Sequence, residues 1–238
     1  MPVDFTDNLW AYWRLRSIEN IGGTDVTRDI SGNARHAVKV GTPTISEANG
    51  FSAGSTTNYF SLNSFITSLN GLVATSVTGF FKGAARAVNK TAISIGGSAA
   101  GTTRNMYPFD LNGAAEYANG AIRFPGVGNN PPLDASWHHV AHVVVANNEN
   151  RLYVDGVEVT PFSAANCTLP NPCTGGALGC WHVGPTQSFG EAMRDVSIWT
   201  RALSAVDVAA LAAGEVPSTY DVKRSRPTGI GMGIGIGL

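Results

Sequence analysis

The chain is short of charge, cysteine, long apolar runs and helix-forming segments, and each shortage excludes something. Charged residues make up 14% of its 238 positions, against roughly 25% in an average soluble protein. The formal net charge is -1, which gives no long-range field to attract nucleic acid or an anionic membrane surface. No apolar run approaches the roughly 20 residues that span a bilayer. Nucleic acid and membrane are therefore not expected partners. The opening Met-Pro-Val-Asp-Phe-Thr-Asp has neither a basic n-region nor an apolar h-region, so we expect synthesis and use without the general secretion route.

Three cysteines are too few for a disulfide scaffold. Cys167 and Cys173 flank Thr-Leu-Pro-Asn-Pro and would close a short ring if bridged. The alternative is three thiols, with Cys180 buried beside Trp181. Zinc would need a fourth ligand, and only His182 stands next to Cys180.

What is present is strand. Ser136 to Val159 carries a Val- and aromatic-rich segment, a polar break at Asn147-Asn148-Glu149-Asn150, a second strand from Arg151, and a tight turn at Asp155-Gly156. This reads as a three-stranded antiparallel meander. Strand patterns also cover Leu9–Leu15, His36–Val40, Asn58–Leu62, Leu72–Lys82, Ala92–Ile95, Leu178–Val183 and Met193–Thr200. Met106–Leu111 and Ala121–Phe124 read as a hairpin pair, and Thr42–Thr57 as loop with one weak strand. Only Ser204–Ala213 reads as helix, with Ser204 as N-cap, Asp207 three residues on, and Gly214 as the stop. Many short strands and one short helix predict an all-β, two-sheet antiparallel β-sandwich over residues 1–216. Residues 217–238 read as a linker and an extended tail. Lys223, Arg224 and Arg226 form a basic run there, most simply a solvated linker.

Trp137-His-His-Val-Ala141, Leu152-Tyr-Val-Asp-Gly156 and Asp195-Val-Ser-Ile-Trp-Thr-Arg-Ala-Leu-Ser-Ala205 resemble the laminin-G-like, concanavalin A-like jelly-roll family. Leu9–Leu15 and the polar turn Asp29–Asn33 sit where that family places its first strand and a turn. The resemblance spans about residues 8 to 214 and implies two packed sheets with ligand surfaces on rim loops or a concave face. Lectins, glycanases, adhesion modules and structural subunits all use this fold.

Glycanases of this fold carry Glu-x-Asp-x-x-Glu on one strand, and no such run exists here. Glu191 and Asp195 are four apart and read as structural, so no enzyme activity is expected. His138 and His142 share a strand face at about 13 Å, too far for one metal, with His139 on the other face. All three read as structural histidines. The resemblance nominates calcium at Asp29 and Asn33, but such a cation takes six or more oxygens, and a side-chain-capped turn is the simpler reading. No other cofactor is expected. Trp10, Trp13, Trp137, Trp181 and Trp199 fall in predicted strands, where core packing is the default. Loop aromatics for a sugar would be Tyr107, Tyr117 and Phe189.

In the tail, Ile230, Met232, Ile234, Ile236 and Leu238 alternate with glycine. Alternation puts all five on one face of an extended strand, suited to docking on a protein partner or an identical subunit. From this arm we expect a non-catalytic subunit of a large assembly: a phage or viral virion protein such as a capsid decoration, fibre or tail component. The alternative is a carbohydrate-binding or adhesion module of lectin type, with a glycan ligand.

Overall fold

Short β-branched and aromatic segments punctuated by Gly, Asn and Asp turns can satisfy their backbone groups only by pairing. The computed structural model shows how they do so. It describes residues 5, 7–52, 54–83, 90–98, 103–109, 115–118, 121–123, 131–146, 149–159, 168–169, 171–183 and 187–217. Strand β1 (Leu9–Trp13) is followed by a hairpin, β2 (Glu19–Ile21) and β3 (Thr24–Thr27). Then come β4 (Ala37–Val40), the short hairpin β5 (Thr44–Ser46) and β6 (Gly50–Ser52), and β7 (Tyr59–Ser61). A short 3-10 helix (Ile66–Leu69) precedes the long β8 (Thr75–Lys82), β9 (Ile93–Gly96) and β10 (Thr103–Tyr107). Next are β11 (Ala115–Ala118) and β12 (Ala121–Arg123), then the meander β13 (His138–Ala146), β14 (Glu149–Val154) and β15 (Val157–Val159). The chain closes with β16 (Gly175–Leu178), β17 (Ala192–Trp199) and α1 (Ala205–Ala212).

These strands form two antiparallel sheets. The front sheet runs β15-β14-β13-β8-β17-β6-β5, with β1 also paired to β17. The back sheet runs β12-β11-β10-β9-β16-β7-β4-β3-β2. One edge of β17 serves two partners: Met193 pairs with Phe51 of β6, and Val196–Trp199 pair with β1. The change of partner falls at a bulge, where Asp195 adopts a left-handed φ of 51°.

The inter-sheet core holds Trp10, Trp13, Phe51, Phe60, Phe81, Phe189, Val196 and Ile198, all buried. A second apolar cluster lies on the outer face of the front sheet, where Val208 and Leu211 of α1 pack on Tyr12, Ala141, Val143, Tyr153 and Trp199. Val143, Val208 and Leu211 each contribute about 1.5–3 kcal/mol on burial. The helix forms where the sequence predicts it, with a complete capping box between Ser204 and Asp207 and Gly214 at φ 93° just beyond the end. The Asp155-Gly156 turn has positive φ at both residues, 51° and 80°, the twist-matched hairpin geometry. A side chain at Gly156 would meet the Cα of Ala209 at 3.2 Å, so glycine also lets the turn touch the helix.

Three expectations change. Thr42–Thr57 contains two short strands rather than one. Met106 and its neighbours pair with β11, and β12 pairs with β11 in turn, so the expected two-strand hairpin is a three-strand meander. The strand expected at Leu178–Val183 is β16, which begins earlier at Gly175 and pairs through Gly175 and Gly176. Glycine hid it, having no side chain to mark a pattern. Cys167 and residues 218–238, including Lys223, Arg224, Arg226, Ile230, Met232, Ile234, Ile236 and Leu238, lie outside the described residues. Among the described residues, no helix is long and apolar enough to cross a membrane.

Candidate functional site

Period-two alternation decides which side chains leave the core. On β8, Val77 and Phe81 point inward, so Thr78, Phe80 and Lys82 face out. On β13, Ala141 and Val143 join the outer cluster, and His139 shares their face. On β17, Met193 points inward and Arg194 outward, paired with Phe80, while Ala192 pairs with Lys82. Helix α1 covers part of this outer face and ends at Ala212. Beside its C-terminal turn lies a cleft of about 140 Å³, bounded by Tyr12, Phe80, His139, Arg194, Asp195 and the segment Gly214–Pro217.

The bulge at Asp195 organises one wall of the cleft. Its carboxylate accepts the Tyr12 hydroxyl at 2.9 Å and the Arg16 guanidinium at 3.0 Å. Burial, then the Asp195 charge, pushes the Tyr12 phenol well above its ordinary value. Arg16 also reaches Glu47 at 3.3 Å. Arg194 differs: its guanidinium carbon lies 4.4 Å from the Trp137 ring centroid and 5.6 Å from that of Phe80. Its nearest carboxylate contact is Asp195 at 3.6 Å, beyond hydrogen-bonding distance. His139 packs on the other side of the array, 5.1 Å from Phe80 between centroids. Its ring is 1% exposed, and both nitrogens are unpartnered. Burial pushes its pKa down to about 4, opposed by the Asp155 charge, so the ring is neutral at pH 7.

A wider groove of about 660 Å³ opens at the rim, lined by Asn49, Ser52, Lys82, Leu133, Asp134 and Glu191 together with Gly83, Ala135, Gly190 and Ala192. Leu133 is 40% exposed. His138 fixes the groove's far wall, with Nδ1 2.8 Å from Asp155 and Nε2 3.0 Å from Asp134. The His138 hydrogen bond, then the Ser136 backbone N–H, holds the Asp134 carboxyl below its usual range. Glu191 is ion-paired with Lys90 at 3.3 Å. Lys82 and Ala192 of this groove stand two residues along the strands from Phe80 and Arg194 of the cleft, roughly 7 Å. Groove and cleft share no lining residue but follow one another along β8 and β17, and the two together are termed the trough.

The expected calcium position is a capped turn. Asp29 is 4% exposed, and its Oδ1 accepts the backbone N–H groups of Tyr12 and Ser31, both at 2.9 Å. Its Oδ2 accepts the Ser31 hydroxyl and the Arg35 N–H, again at 2.9 Å. Asn33 turns its amide donors to the carbonyls of Leu9 and Trp10. Donors have taken the oxygens a cation would need. Among the described residues no three His, Cys, Asp or Glu side chains are grouped to hold a metal.

The histidines divide as the alternation predicts, and His138 and His142 have hydrogen-bonded structural settings, whereas His139 lines the cleft with both nitrogens unpartnered. His142 is buried between the sheets, with Nδ1 2.7 Å from a guanidinium nitrogen of Arg104, which also meets Thr75. Cys180 is a buried thiol, pushed by burial up to about 12, and Cys173 is buried as well. Trp10, Trp13 and Trp199 are core residues, as expected. Trp137 corrects that expectation: it precedes β13, is only partly buried, and lies under Arg194 on the outer face. Trp181 likewise lies outside any strand and is partly buried. Two of the loop aromatics fail in the opposite sense. Tyr107 closes β10 at 2% exposure, and Phe189 is fully buried, stacked on Phe109. The Tyr117 side chain lies outside the described residues. Sequence reasoning missed Phe80, Lys82 and Arg194, whose one signal is their outward phase on β8 and β17.

Solved structures with similar folds come from several glycan-active proteins. Domain 4 of AbnA, a GH43 extracellular arabinanase from Geobacillus stearothermophilus solved with arabinotriose, is 19% identical with a TM-score of 0.59, over 86% of this chain and 98% of that one. Trypanosoma rangeli sialidase gives a TM-score of 0.61 at 14% identity, over 89% of this chain and 34% of the sialidase. The CBM40 domain of the Ruminococcus gnavus IT-sialidase gives 0.50 at 13% identity, over 65% and 92%. No curated protein sequence matches the chain. The family model Laminin_G_3 matches residues 54–209, and the chain accordingly belongs to the concanavalin A-like lectin/glucanases superfamily.

Proposed function

We propose that this protein is a non-catalytic carbohydrate-binding module whose ligand lies along the trough on the outer face of the front sheet. The observation that carries the reading is the register of β8, β13 and β17. It puts Phe80 opposite Arg194 and two residues from Lys82 on one face, with the partly exposed Trp137 ring under Arg194, beside the groove lined by Asn49, Ser52, Lys82, Asp134 and Glu191. Sugars present apolar C–H faces and hydroxyl rims, so an aromatic surface beside convergent polar groups is the complement they need. The arabinotriose complex of the arabinanase domain and the CBM40 domain support the same ligand class.

Hydrolysis would need a protonated carboxylic acid opposite an ionised one. Asp134 is held on the ionised side by His138, and Glu191 faces Lys90. The virion-subunit reading rests on residues 218–238 alone, and no described residue adds to it. Affinity electrophoresis in gels containing arabinan, galactan, xylan or polygalacturonate tests the proposal. At least one polysaccharide is expected to retard the protein, and Trp137→Ala to restore its mobility. Free migration in every gel would refute it.

A further inference from the structure

Arg194 carries a charge and a planar fork of N–H donors, yet among the described residues it donates no hydrogen bond. Its Nε is buried without a partner. The neighbouring carboxylate, Asp195, is already held by the Tyr12 hydroxyl and Arg16, and stays 3.6 Å from Arg194. Trp137 and Phe80 flank the guanidinium at 4.4 and 5.6 Å, restricting its motion so that little entropy is lost when the fork engages a ligand. A second polar group with nothing to bind lines the same cleft: His139, 1% exposed, both ring nitrogens unpartnered. Buried polar groups are nearly always hydrogen-bonded, so two such exceptions lining one cleft call for a partner, whether ordered water or a ligand.

We propose that the cleft is a carboxylate subsite, in which Arg194 receives the carboxylate in its fork and His139 contacts the same sugar. The ligand class is then an acidic saccharide bearing a uronic-acid-type carboxylate. This rests on the glycan-binding reading and narrows it. A carboxylate matches the fork in bidentate geometry, and charge-assisted bonds of this kind are roughly twice as strong as neutral ones. A neutral sugar would offer the fork no hydrogen bond to an opposite charge, and Asp195 at 3.6 Å supplies none either. The space of about 140 Å³ takes one ring edge with its substituent, while the wider groove next to it receives the adjoining residues of the glycan.

The test is a titration of the 15N-labelled full chain with D-glucuronate, D-glucose or sodium sulfate at constant ionic strength. It reads the Trp137 indole N–H and the Arg194 Nε–H resonances. A saturable shift with glucuronate, at least tenfold weaker with glucose or sulfate, is expected. Arg194→Gln should abolish it, and Arg194→Lys should weaken it at least tenfold, with both variants keeping the wild-type spectrum away from the cleft. Equal response to glucose would overturn the carboxylate subsite and leave glycan binding standing. Equal response to sulfate would show a general oxyanion site and overturn the acidic-saccharide assignment. No response to any of the three, with retardation by a polysaccharide intact, would overturn the cleft as a subsite; failure of both assays would remove the glycan-binding reading as well.

Discussion

The guanidinium of Arg194 lies over the indole of Trp137, 4.4 Å from the ring centroid, where β17 passes from β6 to β1. A cation over a ring face contributes about 0.5–1 kcal/mol at an exposed site. That is too little to explain the fold and enough to hold two ligand-facing groups in place.

Trp137→Ala should therefore cost less stability than a core tryptophan does. Trp13 is fully buried, with its indole N–H donated to the Arg35 carbonyl at 2.8 Å. Its truncation should cost about 3–5 kcal/mol. Trp137→Ala should cost under about 2 kcal/mol on the same transfer-plus-cavity reasoning. Urea denaturation of both variants measures the difference, and equal losses would return Trp137 to the core.

Asp195 is a structural residue of the trough and should behave as one. Its left-handed φ of 51° suits Asn far better than Ala. Asn also retains one acceptor oxygen for the Tyr12 hydroxyl. Asp195→Ala should lose about 1–3 kcal/mol through stranded donors, and Asp195→Asn clearly less. Equal losses for the two variants in chemical denaturation would mean that the charge, which both remove, and not the bulge, is what matters.

Acid should weaken the fold through His139. Its pKa is pushed by burial down to about 4, against roughly 6.5 in the unfolded chain. As pH falls below about 6.5 the unfolded state gains a proton that the folded state refuses, so stability declines until about 4. The contribution is on the order of 3 kcal/mol. His142 and His182, also pushed down by burial, act in the same direction. His138 opposes them: burial works against its charge, but the hydrogen bonds to Asp155 and Asp134 prevail and raise its pKa, so its contribution is present at low pH and lost as pH rises through the folded value. Urea midpoints across this range should fall for the wild type and fall less steeply for His139→Gln.

The legible features were those with local causes. Asp155-Gly156 reads as a turn because its geometry needs those two residue types, and Ser204 with Asp207 reads as a cap because both bonds lie within four residues. The faces of His138, His139 and His142 follow from alternation alone. Trp137 did not: one residue outside β13, its surroundings are set by Arg194 and Phe80, which meet only once β17 and β13 flank β8. Asp29 reads as the centre of a capped turn because three of its four donors, two from Ser31 and one from Arg35, lie within six residues; only the Tyr12 N–H comes from chain brought near by folding. Arg194 had no signal beyond its outward phase, because the bulge that sets its guanidinium 3.6 Å from Asp195 and over Trp137 is a product of the strand switch.

The central claim is that the trough binds glycan and does not cleave it. Isothermal titration with an oligosaccharide of whichever polysaccharide retards the protein, run beside a reducing-sugar assay of the same mixture, tests both halves. The account predicts saturable binding, at least a tenfold loss in Trp137→Ala and in Lys82→Ala, and no reducing sugar above a heat-treated control. Release of sugar that Glu191→Gln or Asp134→Asn abolishes, or binding that neither Trp137→Ala nor Lys82→Ala weakens, would contradict it.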